Sequence, residues 1–285
     1  MSTSTPRVAE GASRFREMRA VERLAHQVGR LPISGGVRRG LKRIYQLALG
    51  AQTRGRGLAC TLPGGEVVRV LPEFTHVSWN PDEYGAFRDA VRVGATALDI
   101  GANVGAYSLL LGLWAGQDGR VFAFEPAADA FDGLTRHIRL NRLEAVVRPV
   151  AAAVGDRETT ARLLLAGTAG ESRLAVDADT QPSTSVAMTS IDAFCAQHQL
   201  APDFIKIDVE GWELAVLRGA RQTIKARGRA LALFVEMHPS IWPSLGISRD
   251  DVLKELWIQQ LEPEPIAPAA DIWSLEGVCL RLVSR

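Results

Sequence analysis

Four stretches of this chain end an apolar run in side chains able to do chemistry. The first is Asp99-Ile100-Gly101-Ala102-Asn103-Val104-Gly105. Its glycines permit a tight turn and close approach of backbone to a ligand. The spacing D-x-G-x-x-x-G differs from the G-x-G-x-x-G loop that cradles a pyrophosphate. A carboxylate there repels phosphate and attracts a ligand bearing an ammonium group. The second is Phe124-Glu125-Pro126. An acid closing a second strand is placed to accept hydrogen bonds from two ribose hydroxyls, although Pro126 equally suits the first position of a helix. The third, Lys206-Ile207-Asp208-Val209-Glu210, puts three ionisable side chains on one strand face and two apolar ones on the other. Such residues need partners or a use when buried, so substrate contact and a plain Lys–carboxylate network are both open. The fourth is Glu236-Met237-His238. A carboxylate beside an imidazole can orient it and raise its basicity, as general-base work requires. Asp208, Glu236 and His238 would also suit a hard divalent cation, and a structural histidine is the plain alternative. His76, shortly before Trp79, is a weaker candidate, and His26, His137 and His198 have no such company.

These stretches need a frame. Apolar runs of strand length at 96–100, 119–125, 145–154, 203–209, 230–238 and 278–283 alternate with helical patterns at 106–115, 127–141, 211–224 and 249–261. Strands alternating with helices imply crossover connections and a largely parallel sheet, an α/β fold. In such sheets ligands bind beyond the carboxyl ends of the strands, where all four stretches fall. Residues 57–71 read as a hairpin turning at Pro63-Gly64-Gly65, and Asn80-Pro81 opens a helix. The polar stretch 156–190 is less regular, with extra strands at 163–165 and 186–192.

The chain of 285 residues carries 33 basic and 32 acidic residues, a net of +1. Residues 1–56 hold 12 basic and 3 acidic residues, a net of +9, and the remainder holds 21 and 29, a net of −8. The sequence thus divides into a basic N-terminal extension, residues 1–56, and an acidic domain, residues 57–285. The extension shows two amphipathic helical patterns, 13–28 and 37–49, with arginines between the apolar positions. They read as helices packed on the domain or as an arm touching an anionic surface. Nucleic acid is disfavoured, because no recognition motif or interleaved aromatic accompanies the charge. Three widely spaced cysteines form neither a disulfide framework nor a zinc site. With no membrane-length apolar run and no secretory pattern, the expectation is a cytoplasmic protein, with the inner face of the membrane as an alternative station.

Four blocks carry a resemblance to a known family. They are ALDIGANVGAYSLLLG (97–112), GRVFAFEPAADAFDGLTRHIRLN (119–141), TSIDAFC followed by PDFIKIDVEGWELAVLRGA (189–220), and LFVEMHP (233–239). Over roughly residues 80–245 the chain resembles the FkbM family of S-adenosylmethionine-dependent methyltransferases. The resemblance implies the class I methyltransferase fold: a Rossmann-like sheet of seven mostly parallel strands, helices on both faces, and a final antiparallel hairpin. It implies that Asp99, Gly101, Ala102, Asn103 and Gly105 hold the methionine part of S-adenosylmethionine, and that Glu125 with Pro126 holds its ribose. Ala153, Val154 and, less directly, Asp156 would lie near adenine. The implied reaction is methyl transfer to a hydroxyl of a sugar, glycan or secondary metabolite. Asp208, Glu236 and His238 are the implied catalytic set, either holding magnesium or, without metal, with His238 as base, Glu236 orienting it and Asp208 at the boundary of cofactor and substrate. The adjacent Asp-Asp pair of some metal-dependent relatives is absent at 236–237. Two other readings stand beside this one, an NAD(P)-dependent oxidoreductase and a non-catalytic binding module of the same fold.

Overall fold

The computed structural model describes residues 53, 55–74, 77–164, 173–174, 183–268, 271–274 and 277–285. The basic helical patterns at 13–28 and 37–49, and His76, lie outside the described residues. The chain divides into two compact units, residues 1–84 and 85–285. In the first, strands β1 (Leu58–Thr61) and β2 (Val67–Val70) pair antiparallel, with Leu58 opposite Val70. The turn is pinned by Tyr84, whose hydroxyl accepts from Gly64 N at 2.8 Å and donates to Glu66 Oε2 at 2.6 Å. Helix α1 (Pro81–Ala90) starts where Asn80 Oδ1 accepts from Asp82 N at 2.9 Å, a side-chain cap for an orphan N–H.

The second unit holds a seven-stranded sheet. Its parallel strands are β3 (Thr96–Ile100), β4 (Arg120–Phe124), β5 (Val147–Val150), β10 (Phe204–Ile207) and β11 (Ala232–Met237). Strands β12 (Leu261–Pro265) and β13 (Val278–Ser284) form the antiparallel hairpin, and the order is β12-β13-β11-β10-β3-β4-β5. In chain order of the seven this is 6-7-5-4-1-2-3, the class I methyltransferase arrangement. Strand order reverses between β3 and β10, which places the ligand crevice beyond Ile100 and Ile207. Central strands buried on both faces read as continuous apolar runs. Accordingly Ala97, Leu98, Ile100, Phe204, Ile205 and Ile207 are all fully buried. β12, LEPEP, carries two prolines and lies at the sheet edge, where a strand tolerates a missing donor. β5, VRPV, has Pro149 at the other edge.

Helices α2 (Ala106–Ala115), α3 (Ala128–Leu140), α4 (Ile191–His198), α5 (Glu213–Arg218), α6 (Arg221–Arg227) and α7 (Arg249–Ile258) connect the strands. The helix expected over 211–224 is broken into α5 and α6. The Asp192 carboxylate, at the start of α4, accepts from Gln222 N and Thr223 N at 2.9 and 2.8 Å, giving α6 its own N-terminal cap. A second correction concerns 145–154. Ala152 N bonds back to Val150 O at 2.9 Å, a tight turn. The run therefore divides into β5 and β6 (Ala153–Val154). With β9 (Ser183–Thr189), β7 (Thr159–Leu164) and β8 (Arg173–Leu174), β6 builds a four-stranded sheet in the order β6-β9-β7-β8. The irregular stretch after residue 156 thus supplies this second sheet.

Candidate active site

Beyond the ends of β3, β4 and β10 lies a cleft of about 720 Å3, open mouth included. Its lining falls into an acidic and an apolar part. Gly101, Asn103, Glu125, Pro126, Ala153, Val154 and Asp208, all singled out from the sequence, line it. Leu163 of β7, Leu174 of β8 and Trp212 join them from outside the expected set. The Trp212 indole donates to Leu174 O at 3.3 Å, tying the small sheet to the turn after β10.

Glu125 is 7% exposed. Its Oε2 accepts from Asn103 N and its Oε1 from Ala127 N, both at 2.8 Å. A carboxylate offers about four acceptor positions, so further acceptor sites remain on a group already fixed in orientation. Burial drives its pKa up to about 7, only partly countered by those two N–H groups. Desolvation penalises the anion, and hydroxyl donors arriving from a ligand would relieve that penalty.

The glycine loop behaves differently from the expectation. Gly101 has φ +80°, and a Cβ there would meet the backbone carbonyl of Asp208. Gly105 has φ +92°, and its Cβ would meet Leu134 Cδ1. Both glycines therefore serve close packing of chain on chain. Gly101 borders the cleft, whereas Gly105 and the buried Ala102 do not line it. Asp99 also lies beneath the cleft wall, at 1% exposure. Its Oδ2 accepts from Ser108 Oγ at 2.5 Å, and its Oδ1 is buried with no hydrogen-bond partner among the described residues. Burial raises its pKa, against the opposing charge of Lys206 in the neighbouring register position on β10. Of the two aspartates it is Asp208 that faces the cleft, together with Glu125 and Glu210, and its Oδ2 receives Lys206 Nζ at 3.0 Å. Lys206 is 4% exposed, with its ammonium 5.3 Å from the Tyr107 ring centre. Asp156 does not line the cleft and pairs with Arg157 at 3.4 Å.

His238 follows β11. The expectation that Glu236 orients it is corrected by the geometry. The His238 Nδ1 partner is Glu213 Oε1 at 2.8 Å. Glu213 has no exposed surface and also accepts from Gly211 N at 2.7 Å and Trp242 Nε1 at 2.9 Å. On a strand, residues 236 and 238 project to the same side, but Glu236 Oε1 comes only within 3.9 Å of Nε2, on the opposite edge of the ring from the hydrogen bond. Glu210 Oε2 at 3.6 Å and Asp208 Oδ1 at 3.9 Å face Nε2 as well. Burial opposes the imidazolium, but the hydrogen bond and charge of Glu213, then the charges of Glu210 and Asp208, outweigh it and raise the His238 pKa to about 9.

Glu210 adopts φ +50° at the start of the turn, so the strand face expected through residue 210 ends at Ile207. This turn gathers Asp208, Glu210 and His238, rather than Asp208, Glu236 and His238, as the potential metal donors among the described residues. The donor set fits a hard cation poorly. Magnesium requires oxygen ligands in near-ideal octahedral geometry. Here one of the three donors is an imidazole nitrogen, and Asp208 Oδ2 is engaged by Lys206.

The family profile of the methyltransferase FkbM domain matches residues 99–260, more than half of the chain. The chain belongs to the FkbM methyltransferase domain family. The match begins at Asp99 and includes Glu125, Asp208, Glu213, Glu236 and His238. A hexuronic acid methyltransferase, AglP of Haloferax volcanii, is 29% identical over 176 residues, which is 58% of this chain. The chain spans about 63% of that relative's length. An FkbM methyltransferase structure from Methylobacillus flagellatus has a TM-score of 0.43 at 20% identity, covering 71% of this chain and 50% of the other. A SAM-dependent O-methyltransferase from Thermotoga maritima has a TM-score of 0.44 at 13% identity, covering 80% and 78%.

Proposed function

We propose that this FkbM-family protein transfers a methyl group from S-adenosylmethionine to a hydroxyl of a sugar or glycan. The observation carrying the reading is the cleft at the strand-order reversal, with the buried, pre-oriented Glu125 on one wall and Asp208 on another; His238 and Glu236 do not line this cleft, and His238 Nε2 stands 3.9 Å from Asp208 Oδ1. The group fits the residues present. Glu125 has acceptor capacity left for two ribose hydroxyls, Ala153, Val154, Leu163 and Leu174 form an apolar wall suited to adenine, and Asp208 is the cleft-facing acid for an ammonium. S-adenosylmethionine supplies an electrophilic methyl on a positively charged sulfur, a good leaving group. The remaining work falls to the protein. It must align a hydroxyl and take its proton. His238 is the base in this reading, with Nε2 facing the cleft-side acids and Nδ1–H held by Glu213. A base with a pKa of about 9 is strong but mostly protonated at neutral pH, so the rate should climb towards alkaline pH.

The sugar class is supported by the hexuronic acid methyltransferase relative. Binding of S-adenosylhomocysteine against NADH in calorimetry tests the cofactor. Tight binding of NADH alone would favour the oxidoreductase alternative. Transfer of a labelled methyl group to extracted glycans tests the acceptor class. If Glu125→Ala and His238→Ala left cellular function intact while removal of residues 1–50 abolished it, a non-catalytic role would replace this reading. The basic extension is proposed to meet an anionic surface from the cytoplasm. Among the described residues no helix is long and apolar enough to cross a membrane.

A further inference from the structure

The end of the sheet opposite the cofactor cleft carries a concave site of about 950 Å3, open mouth included. It is formed where β3, β10 and β11 begin. Ala95, Asp203 and Ala232 mark those starts, whereas the cleft lies beyond Ile100, Phe124 and Ile207, the opposite ends of β3, β4 and β10. Four guanidinium groups, Arg92, Arg227, Arg229 and Arg281, line it against two carboxylates, Asp89 and Asp203. The local balance is +2, in a chain whose residues from 57 onward carry a net charge of −8.

The two carboxylates leave half of the positive charge unmatched. Arg227 is committed: Nη2 donates to Asp203 Oδ1 at 2.7 Å and Nε to Pro202 O at 2.9 Å. Asp203 is committed in turn, since its Oδ2 accepts from Thr96 N at 2.9 Å. Among the described residues Arg229 is anchored only through Nε, which donates to Ser284 O at 3.2 Å. Arg281 lies over the Phe234 ring at 6.0 Å, and Glu264 opposite it on β12 makes no ion pair with it among the described residues. Arg92 sits in the turn before β3 and has no ion pair among the described residues. Arg92, Arg229 and Arg281 line one concavity, where an entering anion would offset their shared positive charge. Guanidinium forks match the spacing of phosphate oxygens and bind them in pairs.

We infer that this arginine-lined site, distinct from the methyl-transfer cleft, binds a ligand bearing clustered phosphate groups. A free diphosphate and the phosphate headgroups of a lipid surface present the same chemistry. The site is too far round the sheet to hold the group being methylated, so it anchors or positions the protein and takes no part in the reaction.

The test uses the full chain and two probes, inorganic pyrophosphate in calorimetry and phosphatidylglycerol vesicles in flotation. Arg92→Gln and Arg229→Gln/Arg281→Gln are compared with wild type at about 0.1 M salt. The expected result is saturable binding to at least one probe. Arg92→Gln should weaken it about tenfold and the double variant a hundredfold or more, since each charge-assisted pair is among the strong hydrogen bonds. Affinity for S-adenosylhomocysteine should be unchanged in both. The probe that binds identifies the source of the phosphate. Arg92→Gln, a change in an exposed turn, guards against misreading an unfolded double variant, and melting curves check both. Absence of binding to both probes, or binding that all variants retain, overturns the inference. Because S-adenosylhomocysteine binding is read separately, failure here is distinguishable from failure of the methyltransferase reading.

Discussion

Replacing Glu213 with Gln tests whether one buried carboxylate governs the imidazole beside the cleft. Glu213 has no exposed surface and receives three N–H groups, from Gly211, His238 and Trp242. The substitution keeps the shape, removes the charge and turns an NH2 group against one of three donors. In the wild type the His238 pKa stands at about 9, against an ordinary 6.5. That gap of about 2.5 pH units is worth about 3.4 kcal/mol at 1.36 kcal/mol per unit. With the nearest opposing charge gone, burial acts more freely and the value should fall towards about 6.5. Titration of labelled histidine by NMR reads this directly. In the rate profile for methyl transfer, the rising limb should move about two pH units lower. Its plateau should drop about tenfold, because a weaker base assists proton removal less. Stability supplies a second readout. A histidine whose folded pKa is raised contributes stability that is fully present below about 6.5 and lost as pH rises through about 9. The wild-type melting temperature should therefore fall across that window and the variant's curve should be flatter. The orphaned donor should also cost about 1–3 kcal/mol at lower pH. A His238 titration that stays near 9 in the variant would refute the reasoning.

Four other outcomes follow from the same geometry. Burial lifts the folded pKa of Glu125 to about 7, above the ordinary 4.5, so its contribution makes stability fall as pH rises from 4.5 to 7, by about 3 kcal/mol; Glu125→Gln should flatten the melting curve there while weakening S-adenosylhomocysteine binding at least tenfold. Asp208→Asn should weaken that binding more than Asp99→Asn in calorimetry, because only Asp208 faces the cleft; the reverse order would restore Asp99 as the direct contact. Gly101→Ala should lower the melting temperature by several degrees or prevent folding, since the new Cβ would meet the Asp208 carbonyl at a positive φ. His238→Ala should reduce turnover by about 100-fold or more with cofactor affinity within a few-fold of wild type, and equal losses in both would reject its role as base.

The central architecture was legible where local signals agree with tertiary demands. Strand 96–100 and helix 106–115 match to the residue, because a buried parallel strand reads as an unbroken apolar run and Gly105 ends the loop. β12 escaped notice because Pro263 and Pro265 argue against a strand, a rule that relaxes at an edge. The turn at Ala151, which sends β6 into another sheet, has no glycine or proline at its centre to mark it. The site shows a similar limit. Glu125 and Asp208 stand at strand ends and could be found there. Glu213 could not be assigned to His238, because the two are 25 residues apart and meet only when the positive-φ turn at Glu210-Gly211 folds the chain back. A carboxylate in the first turn of an otherwise buried helix was the available signal. Leu163 and Leu174 reach the cleft through the small sheet, whose strands carry weak local patterns.

The margins of the seven-stranded sheet have a consequence for life in a crowded cell. One border strand contains Pro149, and the other contains Pro263 and Pro265 flanked by Glu262 and Glu264. Each proline withholds an N–H, and the glutamates place like charges where two copies would meet. A stray strand from a nascent or damaged neighbour therefore finds no continuous ladder on either side. Growth by strand addition, the ordinary route from a folded sheet to an aggregate, is discouraged at both borders. Substituting these prolines with valine should leave the fold intact and raise the tendency to aggregate at high concentration.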